Sequence, residues 1–326
     1  MTRLGRFLLL AAFSATVLAA DGNTTASDAN TQPIGGYVPK KAPAVLALVL
    51  YLISGAVHWF LQDFVTATPR QRSMLILPLG MTAMAIGFVL RLIYSNPPFT
   101  VGKYTVMQLF ILLSPCLFLA TDYMLLSHLA KSFDAEVADR SLVIRHSRIT
   151  KIFVWSDVAT FLLQSGGSGI SASHNPNTAK LGTDIALVGL VLQALSFGLF
   201  TIILLIFAFR VKKYFPNIWY PKNPRPFKIL SRDPIDDWRI LFYMMCVTCV
   251  GILIRSIFRV AEFAGGYSGY ITTHEGFFYI FDALPLWISM TLYCFVWPAR
   301  ALMERPGHME LTTKSFLPAP PGAYSA

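Results

Sequence analysis

Charged residues are scarce in this chain: 13% of its 326 residues are Asp, Glu, Lys or Arg, whereas 55% are hydrophobic. Ordinary soluble domains carry about 25% charged residues, so the composition excludes that class. Cysteine is also rare, and all four cysteines lie within apolar stretches. A disulfide framework therefore has no support.

Several catalytic and energy-coupling motifs are absent as well. No phosphate-binding loop of the form G-x4-GK[ST] occurs, so the sequence offers no such site for ATP hydrolysis. The last apolar segment contains no lysine, which excludes a retinal pigment held by a Schiff base. Of six histidines, only His58 lies within an apolar segment. A zinc hydrolase needs several histidines at ligand spacing, and we expect His58 to be a packing residue and no metal to be bound.

Long apolar runs dominate the rest of the chain. Seven of them have about the 20 residues that cross a bilayer, and they predict an all-α integral membrane protein with seven transmembrane helices and no large soluble domain. The membrane domain is predicted to cover 44–298. Its predicted spans are 44–64, 74–94, 104–126, 152–170, 185–209, 240–262 and 277–297.

The two ends of the chain have different compositions. Residues 1–20 resemble a signal peptide, because two arginines precede an apolar stretch that ends in small residues; an uncleaved signal anchor is the alternative. Residues 21–43 are predicted to form a short extracellular segment, in which Asn23 begins a glycosylation sequon. Residues 299–326 are predicted to form a disordered cytoplasmic tail.

The distribution of lysine and arginine predicts the orientation. With the N-terminus outside, the inner segments contain 18 basic residues and the outer segments contain four, in the sense that the positive-inside rule requires. The net charge of +10 is spread over these loops, so we expect no nucleic-acid partner. The basic and aromatic loop at 210–239 is either a contact for anionic inner-leaflet lipids or a plain topogenic loop.

Six charged residues fall near the predicted outer ends of three spans. They are Arg91, Arg255, Arg259, Glu262, Glu275 and Asp282. On a helix, the three that follow one another at i, i+4 and i+7 in the sixth span share a face, and the last two are seven residues apart in the seventh. We expect these three cations and three anions to converge and pair. They are candidate substrate-binding residues or, alternatively, paired ions that hold helices in register.

Three aspartates lie toward the predicted inner ends of their spans, with no cation facing them within the spans. They are Asp63, Asp122 and Asp157. Gln164 shares a helical face with Asp157. We interpret this asymmetry as an acidic inner vestibule that receives the ammonium group of a cationic amphiphile, with Asp122, Asp157 and Gln164 as candidate binding residues. Helix capping, or pairing with loop cations such as Arg148, is the alternative for the aspartates.

Two glycine-rich segments also occur near predicted span ends. Gly166, Gly167 and Gly169 close the fourth span, and 265–269 links the sixth and seventh. Irregular backbone at membrane depth is tolerated only beside protein or a wet cavity. We therefore expect both segments to line the mouth of an outward cavity.

Two blocks of sequence resemble a known family, the fungal RTA-like proteins, which are named for resistance to aminocholesterol and are also called the lipid-translocating exporter family. The first block is KIFVWSDVATFLLQSGGSGI at 151–170. The second is RSIFRVAEFAGGYSGYITTHEGFFYIFDALP at 255–285, whose spaced charges make the resemblance specific.

The resemblance implies a multi-pass protein of the fungal plasma membrane or, alternatively, of the vacuole. It implies resistance to toxic amphiphiles and movement of sphingoid long-chain bases, and it supplies no catalytic residue and no cofactor. We therefore expect a lipid transporter rather than an enzyme. The alternative is a seven-helix sensor or receptor for lipid stress.

Overall fold

The structure is a computed structural model in which the regular structure is helical. It describes residues 38–65, 74–97, 99–133, 137, 140–142, 144, 146–171, 175–220, 235, 237–266 and 269–301, and these contain no β-strand. The predicted signal peptide, Asn23, half of the 210–239 loop and nearly all of the predicted tail lie outside the described residues.

Among the described residues, seven long helices form a bundle. They are α1 (Lys41–Val65), α2 (Ile76–Tyr94), α3 (Val101–Lys131), α4 (His146–Ser171), α5 (Pro176–Tyr214), α6 (Trp238–Ala264) and α7 (Glu275–Phe295). The connecting segments include short helical turns at Pro216–Trp219 and Tyr270–Thr273.

Contacts between helix termini define the two ends of the bundle. The Lys40 N–H, just before α1, donates to the Glu275 carboxylate at the start of α7 (2.8 Å). Arg91, near the end of α2, binds the same carboxylate. We call this end the Lys40 end. The other is the Asp237 end, where Trp238 at the start of α6 donates to the Ile218 carbonyl beyond α5 (3.0 Å).

The central helix is α3. In its most apolar window 83% of residues are buried, against 33–56% in the other candidate spans. Small residues of α2 allow close contact with it: a Cβ on Gly80 would lie 2.5 Å from the Phe118 ring, and the Ser114 hydroxyl donates to the Gly80 carbonyl (2.8 Å). Small residues favour such close packing of helices in membranes.

Six helices among the described residues are long and apolar enough to cross a membrane, namely α1, α2, α3, α5, α6 and α7. The prediction of an all-α, multi-pass membrane protein is therefore confirmed. The fourth predicted span lies in α4, which is less apolar because it contains Asp157, Gln164 and several glycines and serines. Its Ile152 and Trp155 are exposed while Asp157 and Gln164 are buried, so α4 directs its polar side chains into the bundle.

The prediction that the glycines at 166–169 form irregular backbone is wrong. They lie within the regular part of α4, and one of them, Gly167, allows close packing against α5. A Cβ on Gly167 would lie 2.5 Å from the Ala186 nitrogen of α5, and one on Gly182 would lie 2.3 Å from the Ser171 nitrogen of α4. The second glycine segment does leave the helix, and Gly266 has φ +68°.

One turn of α7 departs from α-helical geometry. Residues Tyr279–Ala283 form a π-helical turn, which ends two residues before Pro285. Proline has no N–H, and its ring clashes with the carbonyl four residues earlier in an α-helix; the wider turn relieves that conflict. The Tyr51 hydroxyl of α1 donates to the Ala283 carbonyl at this turn (2.8 Å). The turn contains Asp282, whose side chain lies in the candidate site.

Candidate functional site

The six predicted outer charges come together between α2, α6 and α7. We call Arg91, Arg255, Arg259, Glu262, Glu275 and Asp282 the ion-pair cluster. All six are near the Lys40 end, and Asp282 is completely buried. The helical spacing of the three α6 residues gives them one face, and the π turn of α7 places Asp282 opposite that face.

Asp282 is the centre of the ion-pair cluster. Its Oδ1 binds Arg255 Nη1, and its Oδ2 lies 2.5 Å from Arg259 Nη2. Arg259 also binds Glu262 through Nη1 (2.9 Å). Burying charges away from water is tolerated when they are paired, and here one aspartate carboxylate is shared by two guanidinium groups.

Arg255 also compensates for a proline in the neighbouring helix. Pro115 lies inside α3 and cannot donate a hydrogen bond to the carbonyl four residues earlier, that of Ile111. Arg255 Nη2 lies 3.5 Å from this carbonyl oxygen. The guanidinium therefore gives the freed carbonyl a partner, although the contact is long for a hydrogen bond.

Glu275 joins three helices at the rim of the cluster. Its Oε1 binds Arg91 Nη2 (3.2 Å) and accepts from the Tyr279 hydroxyl (3.2 Å), while its Oε2 accepts from the Lys40 N–H. The Arg91 and Arg259 guanidinium carbons also lie 4.4 and 5.4 Å from the centre of the Phe278 ring. Cation–π attraction therefore adds to the ion pairs.

Two clefts meet at Arg259. The first, the terminal cleft, opens at the Lys40 end with an empty volume of about 420 Å³. Its lining includes Arg91, Tyr94, Tyr104, Arg259, Glu262 and Phe278. The second, the middle cleft, lies between α3, α4, α5 and α6 with about 370 Å³. Its lining includes Leu119, Gln164, Gln193, Arg255, Ser256 and Arg259. Both volumes include open solvent, and each cleft is narrow and lined by polar as well as apolar side chains.

A bridge of glutamines crosses the middle cleft. Gln164 Nε2 of α4 donates to Gln193 Oε1 of α5 (2.8 Å), and Gln193 Nε2 lies 3.5 Å from the Cys116 sulfur of α3. Gln193 was not among the predicted site residues, although a lone glutamine within an apolar span is a signal that could have identified it. These groups give the cleft neutral donors and acceptors.

Asp157 lies in the bundle interior with no partner of ordinary hydrogen-bond geometry. It is 3% exposed, and neither of its carboxylate oxygens accepts a hydrogen bond. The Tyr123 hydroxyl of α3 interacts with the carboxyl but at poor hydrogen-bond geometry, and Cys116 is a further neighbour. An unpaired buried carboxylate is costly, so a proton or a bound cation would stabilise this position.

Asp122 is enclosed by hydroxyl groups. Its Oδ1 accepts from the Tyr293 hydroxyl of α7 (2.8 Å), and its Oδ2 is 3.1 Å from the Thr248 hydroxyl of α6. It neither caps a helix nor pairs with a loop cation among the described contacts. Thr248 and Tyr293 could not have been identified from the sequence as partners of Asp122, because neither residue is unusual in an apolar helix.

The predicted single vestibule of three aspartates is wrong. Asp63 is exposed near the end of α1, whereas Asp122 and Asp157 are enclosed. The three aspartates lie on different helices and point in different directions around the helix axes. One carboxylate is therefore at the surface and the other two are in the interior.

His58 packs between α1 and α7. Its two ring nitrogens lie 2.7 Å from the Ser54 carbonyl and 3.1 Å from the Met290 carbonyl, which is the arrangement expected of a packing histidine. Across the described residues, no three His, Cys, Asp or Glu side chains form a group that would hold a metal ion.

Basic and aromatic side chains meet at the Asp237 end. Lys212 lies 5.8 Å from the Trp219 ring centre and Arg239 lies 5.7 Å from that of Tyr220. Asp237 caps α6 by accepting from the Arg239 N–H (3.0 Å). Hydrogen bonds from the Arg239 guanidinium hold the pKa of Asp237 below its ordinary value. Such basic and aromatic groups are suited to the interface of a bilayer.

Together these features define a multi-pass helical membrane protein with a polar interior. Comparison with known families identifies it further: residues 77–305 match the family described as RTA1 like protein. The match covers most of the chain, from α2 through α7, and the chain therefore belongs to this family. The resemblance noted in the sequence is confirmed.

Three relatives from Saccharomyces cerevisiae indicate the range of the family. Protein RTM1 is 30% identical over 235 residues, which are 71% of this chain and 70% of the relative. Protoporphyrin uptake protein 1 is 30% identical over 208 residues, 64% of this chain and 62% of the relative. The sphingoid long-chain base transporter RSB1 is 26% identical over 192 residues, half of each chain. No solved structure matches this chain.

Proposed function

We propose that this protein is a membrane lipid transporter that moves sphingoid long-chain bases or related cationic amphiphiles and so contributes to resistance against toxic lipids. The observation that carries the proposal is Asp157, a buried carboxylate that has, among the described residues, only the poorly aligned Tyr123 hydroxyl as a polar partner. A cationic amphiphile would supply the positive charge that this position lacks. Family membership supports membrane transport in general, and one relative is named as a transporter of such bases.

The proposed binding mode follows from the chemistry of a sphingoid base, which has an ammonium group, hydroxyl groups and one long alkyl chain. Asp157 binds the ammonium, and the amides of Gln164 and Gln193 bind the hydroxyls. Asp157 and Gln164 are seven residues apart on α4, which is about 10 Å along the helix axis. Cys116 of α3 neighbours both Asp157 and the glutamine bridge. The Cys116 side chain must therefore move before one ligand can contact both Asp157 and the middle cleft.

The ion-pair cluster is the proposed exit. Arg259 lines both clefts and shares its charge between Glu262 and Asp282. A passing ammonium competes with Arg259 for these carboxylates, so exchange of one cation for another opens the way from the middle cleft to the terminal cleft. This scheme moves a lipid without making or breaking a covalent bond. We therefore propose that the protein is a transporter and not an enzyme.

The proposal includes seven membrane spans, with α4 as the fourth, the N-terminus outside and the C-terminus in the cytoplasm. The bias of 18 basic residues to four supports this orientation. The inward polar face and outward apolar face of α4 support its insertion. The Lys40 end then faces outside, and a cleaved signal peptide with glycosylation at Asn23 is consistent with that side.

The plasma membrane is the proposed location, with the vacuolar membrane as the alternative. The basic and aromatic groups at the Asp237 end, including Lys212, Lys213 and Arg239, would lie at the inner leaflet. Their cation–aromatic contacts support contact of the 210–239 loop with anionic lipids, each near-surface basic residue contributing about 1 kcal/mol.

The test is reconstitution of the purified protein in liposomes with a labelled sphingoid base. Asp157→Asn should lower transport at least tenfold at equal protein incorporation, because the amide removes the negative charge at nearly constant shape. Asp63→Asn and Asp184→Asn, which neutralise exposed carboxylates, are matched controls and should transport normally. Normal flux through Asp157→Asn would exclude this binding mode.

The alternative is a seven-helix sensor for lipid stress. It is favoured by the ion-pair cluster, whose charges are already paired within the bundle. If the wild-type protein in liposomes moves neither the sphingoid base nor protoporphyrin, the transporter proposal is wrong and the sensor alternative is supported. If the protein transports protoporphyrin but not the sphingoid base, the proposed cargo changes from a cation to an anion that the arginines bind.

A further inference from the structure

A second interior carboxyl group, Asp122, has an environment different from that of Asp157. It is completely buried near the Asp237 end and forms a group with Thr248 of α6 and Tyr293 of α7. The interactions that act on its carboxyl come from these two hydroxyls. The titratable side chains that sense Asp122 are Tyr123 on its own helix, Cys249 on α6 and Tyr293 on α7.

The number of available protons decides which contacts within this group can be hydrogen bonds at the same time. Four oxygen–oxygen contacts are present. They are Tyr293 to Asp122 (2.8 Å), Thr248 to Asp122 (3.1 Å), Thr248 to the Met245 carbonyl (2.8 Å) and Thr248 to Tyr293 (3.3 Å). The two hydroxyls carry one proton each, so they can donate in only two of the four contacts.

One more proton, on the carboxyl group, lets three of the four contacts be hydrogen bonds at once. With Asp122 protonated, Tyr293 donates to Oδ1, Oδ2–H donates to the Thr248 oxygen, and Thr248 donates to the Met245 carbonyl. With Asp122 ionised, Thr248 must turn its proton from the Met245 carbonyl to the carboxylate. Both states are hydrogen-bonded, because a hydroxyl can donate or accept. The group can therefore hold or release a proton with a single hydroxyl rotation.

The distances favour a proton over a metal ion. Contacts of 2.8–3.3 Å between paired oxygens are those of hydrogen bonds or slightly longer. A hard cation such as Ca²⁺ instead needs about six to eight oxygens around one centre. Asp122 contributes the only carboxylate to this group within the described residues.

We propose that Asp122 is a proton-binding site that links its protonation to the packing of α6 and α7 against α3. The protonated form is neutral and fits the closed group seen here. The ionised form leaves a charge in a fully buried position with two hydroxyls and no cation, which favours entry of water and separation of the three helices. Proton release thus favours opening at the Asp237 end. The inference concerns a different residue from Asp157 and does not depend on which lipid is moved.

Infrared difference spectroscopy of the full-length protein in lipid nanodiscs, recorded against pH, tests this site without any transported lipid. The wild type should show a carboxylic acid C=O band that disappears as the pH is raised, and Asp122→Asn should lose that band completely. The amide can accept from Tyr293 and donate to Thr248, so Asp122→Asn mimics the protonated form. Asp63→Asn and Asp157→Asn should keep the band.

A second variant keeps the test decisive if Asp122→Asn does not fold. Tyr293→Phe removes one donor to the carboxyl oxygen, so the same band should remain and shift to higher frequency. An Asp122→Asn spectrum that lacks none of the wild-type acid bands, an Asp122 band unmoved by Tyr293→Phe, or a wild type without a titrating acid band would overturn the proposal. Normal transport by Asp157→Asn together with a titrating Asp122 band would exclude the proposed binding mode and leave this site intact, so the two proposals can fail separately.

Discussion

Asp282 and Asp157 are both aspartates in the bundle interior, one fully buried and the other 3% exposed. Asp282 binds two guanidinium groups, whereas Asp157 accepts no hydrogen bond. The first is a structural centre that is neutralised within the protein. The second has an unmet requirement for positive charge or a proton. Burial alone therefore does not distinguish a stabilising charge from a binding site; the partners decide.

The two regions also differ in what they connect. The ion-pair cluster joins the ends of α1, α2, α6 and α7 through Glu275 and Asp282, together with aromatic contacts at Phe278. Asp157 of α4 faces Tyr123 of α3, and Asp122 of α3 faces Thr248 of α6 and Tyr293 of α7. The cluster therefore joins four helices at the Lys40 end, whereas each interior carboxyl meets hydroxyl groups of one or two neighbouring helices.

The largest effect is expected for Asp282→Asn. It leaves Arg255 and Arg259 buried with less negative charge, and breaking a buried ion pair costs about 3–5 kcal/mol. Thermal unfolding in detergent should show a large loss of stability. The double variant Asp282→Asn with Arg255→Gln should recover part of that loss, since it removes one of the two uncompensated cations. Wild-type stability of Asp282→Asn would contradict the structural role of the cluster.

Glu275→Gln should have a smaller effect. Glu275 lies at the rim with 9% exposure, and its amide analogue can still accept hydrogen bonds from Arg91 and the Lys40 N–H. A hydrogen bond to a charged group contributes about 1.5–3 kcal/mol, and part of this should be lost. The same unfolding measurement applies, and a loss equal to that of Asp282→Asn would show that rim and centre do not differ.

The opposite sign is expected for Asp157→Leu. This change removes a buried polar group that lacks a hydrogen bond, a condition that costs about 1–3 kcal/mol, so unfolding should require more energy than in the wild type. Asp184→Leu on the exposed part of α5 is a control for added apolar surface. A clear loss of stability in Asp157→Leu would mean that the carboxyl has a structural partner after all.

The smallest effect is expected for Asp237→Ala, outside the buried regions. Loss of the cap of α6 should lower stability by about 0.5–2 kcal/mol. Because Arg239 depresses the pKa of Asp237, this contribution is present above the ordinary pKa of an aspartate and is lost as the pH falls through the lowered pKa. The difference between variant and wild type should therefore vanish in acid. A difference that grows as the pH falls would contradict the assignment.

Much of the fold could be predicted from local pattern. Apolar runs of bilayer length predicted the helices, and the spacing of Arg255, Arg259 and Glu262 predicted one charged face, because helical periodicity is a property of the backbone. The glycines at 166–169 were misinterpreted, since glycine marks either irregular backbone or close packing and only the neighbour, here Gly182 and Ala186 of α5, distinguishes them.

The sequence by itself determined that this is a helical membrane protein of the RTA1 like family with balanced charges toward one end. Only the tertiary structure decided that Asp282 serves two arginines, that Asp122 meets Thr248 and Tyr293, and that Asp157 has no such partner. Sequence spacing defines which residues of one helix share a face. Which face of another helix lies opposite depends on the order, rotation and π turn of helices far apart in the chain, and these are settled by packing in three dimensions.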